Sequence, residues 1–344
     1  MNTPISIVTV NWRSKQYLLG LMDSLKAQDY RPLDVIVVNN SSEDELHLEQ
    51  YSQQDFSVRV LDPQANLGFA GGTNIGIQAA TAPYIMMLNP DTLVPAGSLM
   101  HLAGAMDADP TIDVALPKIM LGNDADRFDR VWDGYSRWGL ALSTGYLERD
   151  VGQYDGRSDV FGARGAACLF RRSFFGDVGL LDEDLFAFYE DADLNLRGQC
   201  QGKRFVFVPS SRIVHFGNAS TGSLHNPTVD RLSARNKILV FVKNMPGFLL
   251  FWHGWRLVAL LCAQAVQHTF IVRDAKAYFS GILDAVKLLP RFIRKRREVQ
   301  KKRTIRIWDL NARLKQSEQD FVASLKRLRE QQGAKKPWFF LIHK

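Results

Sequence analysis

Four short apolar runs, separated by segments with helical spacing, constrain this chain more than any other feature. Ile5–Asn11 (ISIVTVN), Leu33–Asn39 (LDVIVVN), the shorter Val58–Leu61 and Tyr84–Leu88 (YIMML) are largely apolar, as strands buried on both faces of a parallel sheet must be. After the first run, Leu18, Leu21, Met22 and Leu25 recur at helical spacing within Tyr17–Gln28. After the second, Asn39, Asn40, Ser41 and Ser42 are turn and cap residues, and a helix is predicted over Glu43–Tyr51. Asn66–Gly76 (NLGFAGGTNIG) has four glycines in eleven residues. They permit close approach of backbone to backbone or ligand, and a helix is predicted to follow through Ile77–Ala80. The segment is neither a Walker A loop nor GxGxxG. This alternation predicts a doubly wound α/β sheet of the nucleotide-binding type over about the first hundred residues.

The fourth run ends in Asn89-Pro90-Asp91-Thr92. Pro90 donates no ladder hydrogen bond, so the strand should stop there. Asp91 then stands at the carboxyl end of a buried strand, where open α/β sheets place ligands. A carboxylate facing a diphosphate there would need a divalent cation between them. A turn capped by Asp91 satisfies the same sequence without any ligand.

At 46% hydrophobic and 23% charged, the 344 residues have a globular composition, long enough for two domains or a large one with an appendage. Cys168, Cys200 and Cys262 are odd in number and widely spaced, which excludes a disulfide framework or zinc spacing and suits a reducing cytoplasm. MNTPISIVTVNWRS has no basic n-region, so no secretory leader is expected. The formal charge of +7 is local: Arg291–Arg306 holds nine Lys/Arg against one Glu, and the remaining residues sum to about −1.

Asp124–Gly162 loosens into Gly, Asp, Arg and the aromatics Trp132, Tyr135, Trp138, Tyr146 and Tyr154, predicting a long loop. Aromatics flanked by Asp and Arg suit a carbohydrate face, and equally suit buried loop anchors. Arg164–Arg171 and Arg204–Val208 have strand character, and a helix begins near Tyr189. Asp182, Glu183, Asp184, Glu190, Asp191 and Asp193 crowd around that helix start. Its dipole rewards some acids there, but their mutual repulsion points to function. His215 lies among apolar neighbours, and only a partner carboxylate would distinguish it from a satisfied core residue.

Taken together these segments resemble the family 2 glycosyltransferases, the inverting enzymes of the GT-A fold, and within them the bacterial rhamnosyltransferase-like group. The resemblance rests on VTVNW (Val8–Trp12), VVNNSSED (Val37–Asp44), NLGFAGGTNIG (Asn66–Gly76), LNPDT (Leu88–Thr92), RGAACLFRR (Arg164–Arg172), LLDEDLFAFYEDADLNLR (Leu180–Arg197) and VHFGNAS (Val214–Ser220), in the family's order. It implies a Rossmann-like, mostly parallel sheet flanked by helices. It implies that Asp91 holds Mg²⁺ or Mn²⁺ against a donor diphosphate, with His215 on the same metal. Asn89 replaces the first Asp of the family's DxD motif. Glu190-Asp191 matches the ED motif, which makes Asp191 the general base. Thr9, Asn11, Asn39, Asn66, Gly72, Asn74 and Asn89 would hold the nucleotide-sugar, and Arg164, Gly165, Ala166 and Glu190 the donor and acceptor sugars. Relatives usually have Asp where Asn39 stands and use it to read a pyrimidine, so the base is left open.

The implied activity is metal-dependent, inverting transfer of a sugar, with L-rhamnose from dTDP-rhamnose first and galactose or other UDP-sugars after it. The acceptor would be a lipid-linked or cell-surface glycan, polyprenyl-diphosphate-linked or lipopolysaccharide. Inversion needs a base on the acceptor side and a cation on the donor side; the paired carboxylates of retaining hydrolases are not required. A catalytically silent GT-A scaffold is the alternative, against which the retention of Asp91, Asp191 and His215 argues. A nucleotidyltransferase would want a basic, Gly-rich phosphate loop that VTVNWRS lacks.

The catalytic domain is expected over 1–228. A helical, amphipathic and basic membrane-associating region is expected over 229–310, and a helical tail over 311–344. Asp230–Lys243 reads as an amphipathic helix ended by Asn244-Met245-Pro246. The longest uncharged run after it, Leu257–Val272, is sixteen residues, short of the ~20 that span a bilayer. Trp252 and Trp255 suit a membrane interface. The basic block suits anionic lipid and is unaccompanied by any nucleic-acid-binding fold. These features predict a protein peripheral to the cytoplasmic face of a bacterial inner membrane. Trp338–Ile342 reads as an interfacial anchor or a contact with a second copy.

Overall fold

The computed structural model describes residues 2–41, 43–217 and 226–333. The end of the VHFGNAS motif and Trp338–Ile342 lie outside the described residues.

The first half of the fold runs β1 (Ile5–Asn11), α1 (Lys15–Lys26), β2 (Leu33–Asn39), β3 (Phe56–Leu61), α2 (Gly68–Ala79), β4 (Tyr84–Leu88), β5 (Thr92–Leu93) and α3 (Ser98–Ala108). Next come β6 (Val114–Leu121), β7 (Asp124–Arg130), β8 (Trp132–Tyr135), β9 (Ala141–Thr144), β10 (Asp159–Val160), β11 (Ala167–Arg171), α4 (Arg172–Val178), α5 (Glu190–Cys200) and β12 (Phe205–His215). The helices α6 (Pro227–Asn244), α7 (Gly247–Gln267), α8 (Ala275–Lys301) and α9 (Ile307–Gln331) complete the chain.

The main sheet runs β10-β12-β6-β11-β4-β1-β2-β3, with β5 added to β12 and β7 to β6. β4, β1, β2 and β3 are mutually parallel and β6 is parallel to β12, while β11 lies antiparallel between the two groups. Alternate side chains enter opposite layers, as strand geometry requires. Ile7, Val35 and Met86 pack with Leu18 and Leu21 of α1 and Leu99 of α3, whereas Val8, Ile36 and Ile85 pack with Ile77 of α2. A third core joins Tyr135, Leu185 and Leu196 to Leu239 and Phe241 of α6, Phe292 of α8 and Leu310 and Leu314 of α9. The C-terminal helices therefore share a core with the elements around α5.

Three expectations are corrected. No helix forms over Glu43–Tyr51, only a 3₁₀ turn at Glu49–Tyr51. Asp44 is instead taken up by the strand ends, its carboxylate accepting from Asn11 Nδ2 (2.8 Å) and its carbonyl from Asn39 Nδ2 (2.9 Å). The glycine-rich segment does not merely lead into a helix; it is α2 from Gly68 onward. Gly72 and Gly76 let α2 lie against β1, where a Cβ would meet Val10 Cγ1 at 2.9 Å and Val8 Cγ1 at 2.3 Å. Asp124–Gly162 is not a long loop but carries β7 to β10, and Trp132, Tyr135 and Tyr154 are buried anchors.

Candidate active site

Strand pairing assembles the site. β5 pairs with the end of β12, setting Thr92 opposite His215, and Phe216 N–H donates to Asp91 O (2.9 Å). His215 Nε2 thereby lies 3.3 Å from Asp91 Oδ1. β12 also pairs with β6, and β6 with β7, which delivers Asp129 to the other side of the ring, with Asp129 Oδ2 2.9 Å from His215 Nδ1. All three side chains are buried. Burial alone would lower the His215 pKa, but hydrogen bonds to Asp129 and Asp91 outweigh it and raise it to about 9. Asp129, though desolvated, is held well below the usual carboxylate range by His215, Arg164 and Arg130.

Arg164 bridges this group to the second. It lies 3.9 Å from Asp129 and 3.8 Å from Asp133. Gly165 follows it, and a Cβ there would stand 3.8 Å from Asp191 Cβ. Glu190 and Asp191 open α5, where the helix dipole favours acids. Asp191 is partly exposed, and its Oδ1 accepts from Ala192 N–H (2.7 Å). Glu190 is buried, and burial followed by the charge of Asp191 pushes its carboxyl up to about 8. Asp133 rises to about 6, through burial opposed by Arg164 and Arg130. Glu190 Oε2, Asp133 Oδ1 and Arg164 Nε are buried and have no hydrogen-bond partner among the described residues.

Toward the ends of β1 and β2, Thr9 Oγ1, Asn40 Oδ1 and Ser41 Oγ are buried and likewise have no hydrogen-bond partner among the described residues. Asn11 and Asn39 bond to each other and to the chain beside them. Asn11 Nδ2 donates to Asn39 Oδ1 (2.9 Å), and Asn11 Oδ1 accepts from Ser14 Oγ (2.9 Å). Asn66 Oδ1 accepts from Gly68 N–H (2.9 Å), making a turn. Asn74 clamps Leu181, donating to its carbonyl and accepting from its N–H, and also reaches Glu183. Gly72 is filled against Asn40 and Val10. Asn89 N–H donates to Ala166 O (2.8 Å), tying the NPD turn to the Arg164–Ala166 segment. A cavity of about 320 Å³ opens beside Asp91, bordered by Tyr17, Gly20, Thr92 and Phe216.

Asp129, Arg130 and Asp133 are not marked by any local pattern: the β6–β7–β12 pairing brings the first two to the site, and the pairing of Asp133 with Gly162 brings the third. The acidic cluster before α5 is also neutralised from far away. Lys243 lies 2.7 Å from Asp182 and 2.9 Å from Asp193, and Arg291 lies 2.6 Å from Asp184.

Among the described residues no three His, Cys, Asp or Glu side chains gather as a metal cage. Asp91 and His215 do fit a divalent cation completed by a ligand's own oxygens, since such ions often take only one or two protein groups beside substrate phosphates. The carboxylate on the far nitrogen of His215 is the arrangement that orients metal-bound histidines.

The glycosyl transferase family 2 profile matches residues 6–179, just over half of the chain. An N-acetylglucosaminyl-diphospho-decaprenol L-rhamnosyltransferase of Mycobacterium tuberculosis is 28% identical over 256 residues, which cover 64% of this chain and 79% of that protein. The low-salt glycan biosynthesis hexosyltransferase Agl10 of Haloferax volcanii is 24% identical over 77% of this chain and 87% of its own length. The solved structure of Staphylococcus aureus TarS 1–349 in complex with UDP-GlcNAc superimposes with a TM-score of 0.56 over 92% of each chain, at 12% identity. That of GalNAc-T7 with UDP, GalNAc and Mn²⁺ gives 0.52 over 72% of this chain and 49% of the other, at 17% identity. These likenesses show the fold, a GT-A-like mixed α/β sheet flanked by helices and followed by a helical C-terminal part. The chain belongs to glycosyl transferase family 2 and is a rhamnosyltransferase-like glycosyltransferase.

Proposed function

We propose that this glycosyltransferase moves a sugar with inversion from a nucleotide-sugar to a lipid-linked glycan acceptor, in polysaccharide or lipopolysaccharide synthesis at the cytoplasmic face of a bacterial inner membrane. The donor we favour is dTDP-rhamnose. One observation carries the reading: Asp91 and His215 face each other across 3.3 Å, Asp129 links His215 to Arg164, and Arg164 feels the charge of Asp191 at the start of α5. A donor-side cation site and an acceptor-side base are what a single inverting displacement requires.

Asp191, its carboxylate steadied by the Ala192 N–H, takes the proton of the acceptor hydroxyl as that oxygen attacks the anomeric carbon. Glu190, neutral below about pH 8, donates an O–H to a sugar oxygen through its unpartnered carboxyl. Arg164 offsets the charges of Asp129, Asp133 and Asp191. Thr9, Asn40 and Ser41 offer polar atoms to the nucleotide beside the strand ends that Asn11, Asn39 and Asp44 tie together. Asp91 Oδ1 and His215 Nε2 would hold Mg²⁺ or Mn²⁺, which when bound offsets the charge of the departing diphosphate.

The membrane reading is supported by α7. Phe248, Phe251, Trp252, Trp255, Val258 and Val266 form an exposed stripe, with Phe251 84% exposed. α7 and the π-helical turn His268–Val272 are together long and apolar enough to cross a bilayer. Leu249, His253 and Leu257 are nevertheless buried, His253 Nε2 pairing with Asn311 Oδ1 (2.8 Å). One face on protein and one apolar face outward describe a helix lying in the membrane surface.

The test is a thermal-shift screen of dTDP-, UDP- and GDP-sugars with and without Mn²⁺, since a ligand that binds only the folded state raises its melting temperature. A metal-dependent shift with dTDP-rhamnose is expected. If no nucleotide-sugar shifts well-folded protein, the reading falls.

A further inference from the structure

The loop that leads into α5 is made of conformations a polypeptide avoids. Phe186, Phe188 and Tyr189 hold φ of 63°, 67° and 68°, the left-handed region that side chains other than glycine disfavour. Such backbone persists only where its surroundings over-determine it.

Most of the side-chain anchors come from α6 and α8, while α2 adds Ala70 N–H to Phe186 O (3.0 Å) and Asn74 Nδ2 to Glu183 (2.9 Å). Asn236 Nδ2 reaches the carbonyls of Leu185 (2.9 Å), Ala187 (2.9 Å) and Phe188 (2.7 Å). Arg235 Nη2 donates to the carbonyls of Asp184 (3.1 Å) and Leu185 (2.8 Å). Lys295 of α8 binds the carboxylates of both Asp182 and Asp184, and Arg291, one turn away, binds Asp184. Lys243 holds Asp182 from α6 and at the same time Asp193, within the first turn of α5. The acids that crowd this loop are therefore handles for cations on two distant helices.

α8 also has an outer face. Phe279, Leu283, Val286 and Ile293 are exposed on the side away from Arg291 and Lys295. Exposed Lys276, Lys287, Arg294 and Arg297 flank them.

We propose that Asn236 and Lys295 are positioning residues for Asp191. They hold the Asp182–Tyr189 loop in the strained path that presents Glu190 and Asp191, and through Lys295 the face of α8 that meets an anionic bilayer and the catalytic loop are one mechanical unit. The proposal rests on the transferase reading only for its kinetic consequence; the state of the loop is read independently.

The experiment is hydrogen–deuterium exchange on the full chain as wild type, Lys295→Ala, Lys295→Arg and Asn236→Ala, alone and with vesicles of phosphatidylcholine and phosphatidylglycerol. Lys295 is partly exposed, so its variants fold even if Asn236→Ala does not. In Lys295→Ala, protection of peptides spanning 182–189 should fall about tenfold while β1 and β4 keep theirs, a local opening; Lys295→Arg should restore it. Anionic vesicles should raise protection of the same peptides in wild type and not in Lys295→Ala. With dTDP-rhamnose, kcat of Lys295→Ala should fall about tenfold to a hundredfold at unchanged KM, the signature of a misplaced base. Equal loop protection in wild type and Lys295→Ala, or a loss spread evenly over the chain, overturns the proposal. Vesicles that leave the wild-type loop unchanged overturn its membrane half. Normal exchange effects in a protein that turns over no nucleotide-sugar would sink the transferase reading and leave the loop assignment standing.

Discussion

His215 Nδ1 lies 2.9 Å from Asp129 Oδ2, and that contact aims Nε2 at Asp91. A carboxylate behind a ligating histidine fixes its tautomer and ring plane, and losing it typically costs about 10- to 100-fold in metal affinity. Asp129→Asn should weaken Mn²⁺ binding by that factor, measured by calorimetry or by electron paramagnetic resonance of free Mn²⁺. Unaltered affinity would show that His215 needs no such support.

Asp191→Asn removes the proposed base and keeps its size. Loss of general-base catalysis should slow transfer by about 10²- to 10⁴-fold. The donor-induced rise in melting temperature should stay, because Asp191 stands on the acceptor side. Turnover at the wild-type rate would take the role away from Asp191.

Glu190 makes stability depend on pH. Its carboxyl, raised from 4.5 to about 8 by burial and then by Asp191, stays protonated in the fold when the unfolded chain has already released its proton. That stabilisation is complete below about pH 4.5 and is lost as pH rises through about 8. Wild-type melting temperature should therefore decline between about pH 4.5 and pH 8 more steeply than that of Glu190→Gln, and the two should run parallel above that. Curves parallel across the whole range would mean that Glu190 is ionised in the fold.

Gly68 has φ +70°, and a Cβ on it would fall 2.4 Å from Phe186 O, an atom that already accepts from Ala70 N–H (3.0 Å). Gly68→Ala should cost about 1–3 kcal/mol of stability, from left-handed backbone and the clash together. Denaturant unfolding would measure it, and a loss near zero would show that the loop moves aside freely.

Trp255→Asp combined with Phe251→Asp should abolish co-sedimentation with anionic vesicles while leaving the melting temperature within about 2 °C, since surface changes cost little. Raising salt should weaken wild-type binding in parallel, each Lys or Arg near the lipid contributing about 1 kcal/mol. Persistent sedimentation of the double variant would place the lipid contact elsewhere.

Much of the fold was legible because it follows from local patterns. β1, β2 and β4 fall where buried runs predict them, since a strand covered on both faces can be apolar throughout. The helix starting near Tyr189 was legible from its acids. The Glu43–Tyr51 helix failed because propensity was overridden by Asn11 and Asn39, which claim Asp44 from neighbouring strand ends. The strands within Asp124–Gly162 were missed because β7 is mostly polar, its register set by β6 and not by its own alternation.

What the sequence determined by itself was the family, the four N-terminal strands β1 to β4 and the chemical kinds at the site: an aspartate after a buried strand, acids at a helix start and a histidine farther on. All of these are properties of short segments. Which of those groups carry protons, and in what company, was decided by tertiary structure alone. Asp129 reaches His215 across 86 residues of chain, Lys243 reaches Asp193 across 50, and Lys295 reaches Asp182 across 113. Charge interactions act through space in a medium of low dielectric constant, so the partners that set a buried group's ionisation are chosen by packing, and sequence distance has no bearing on them.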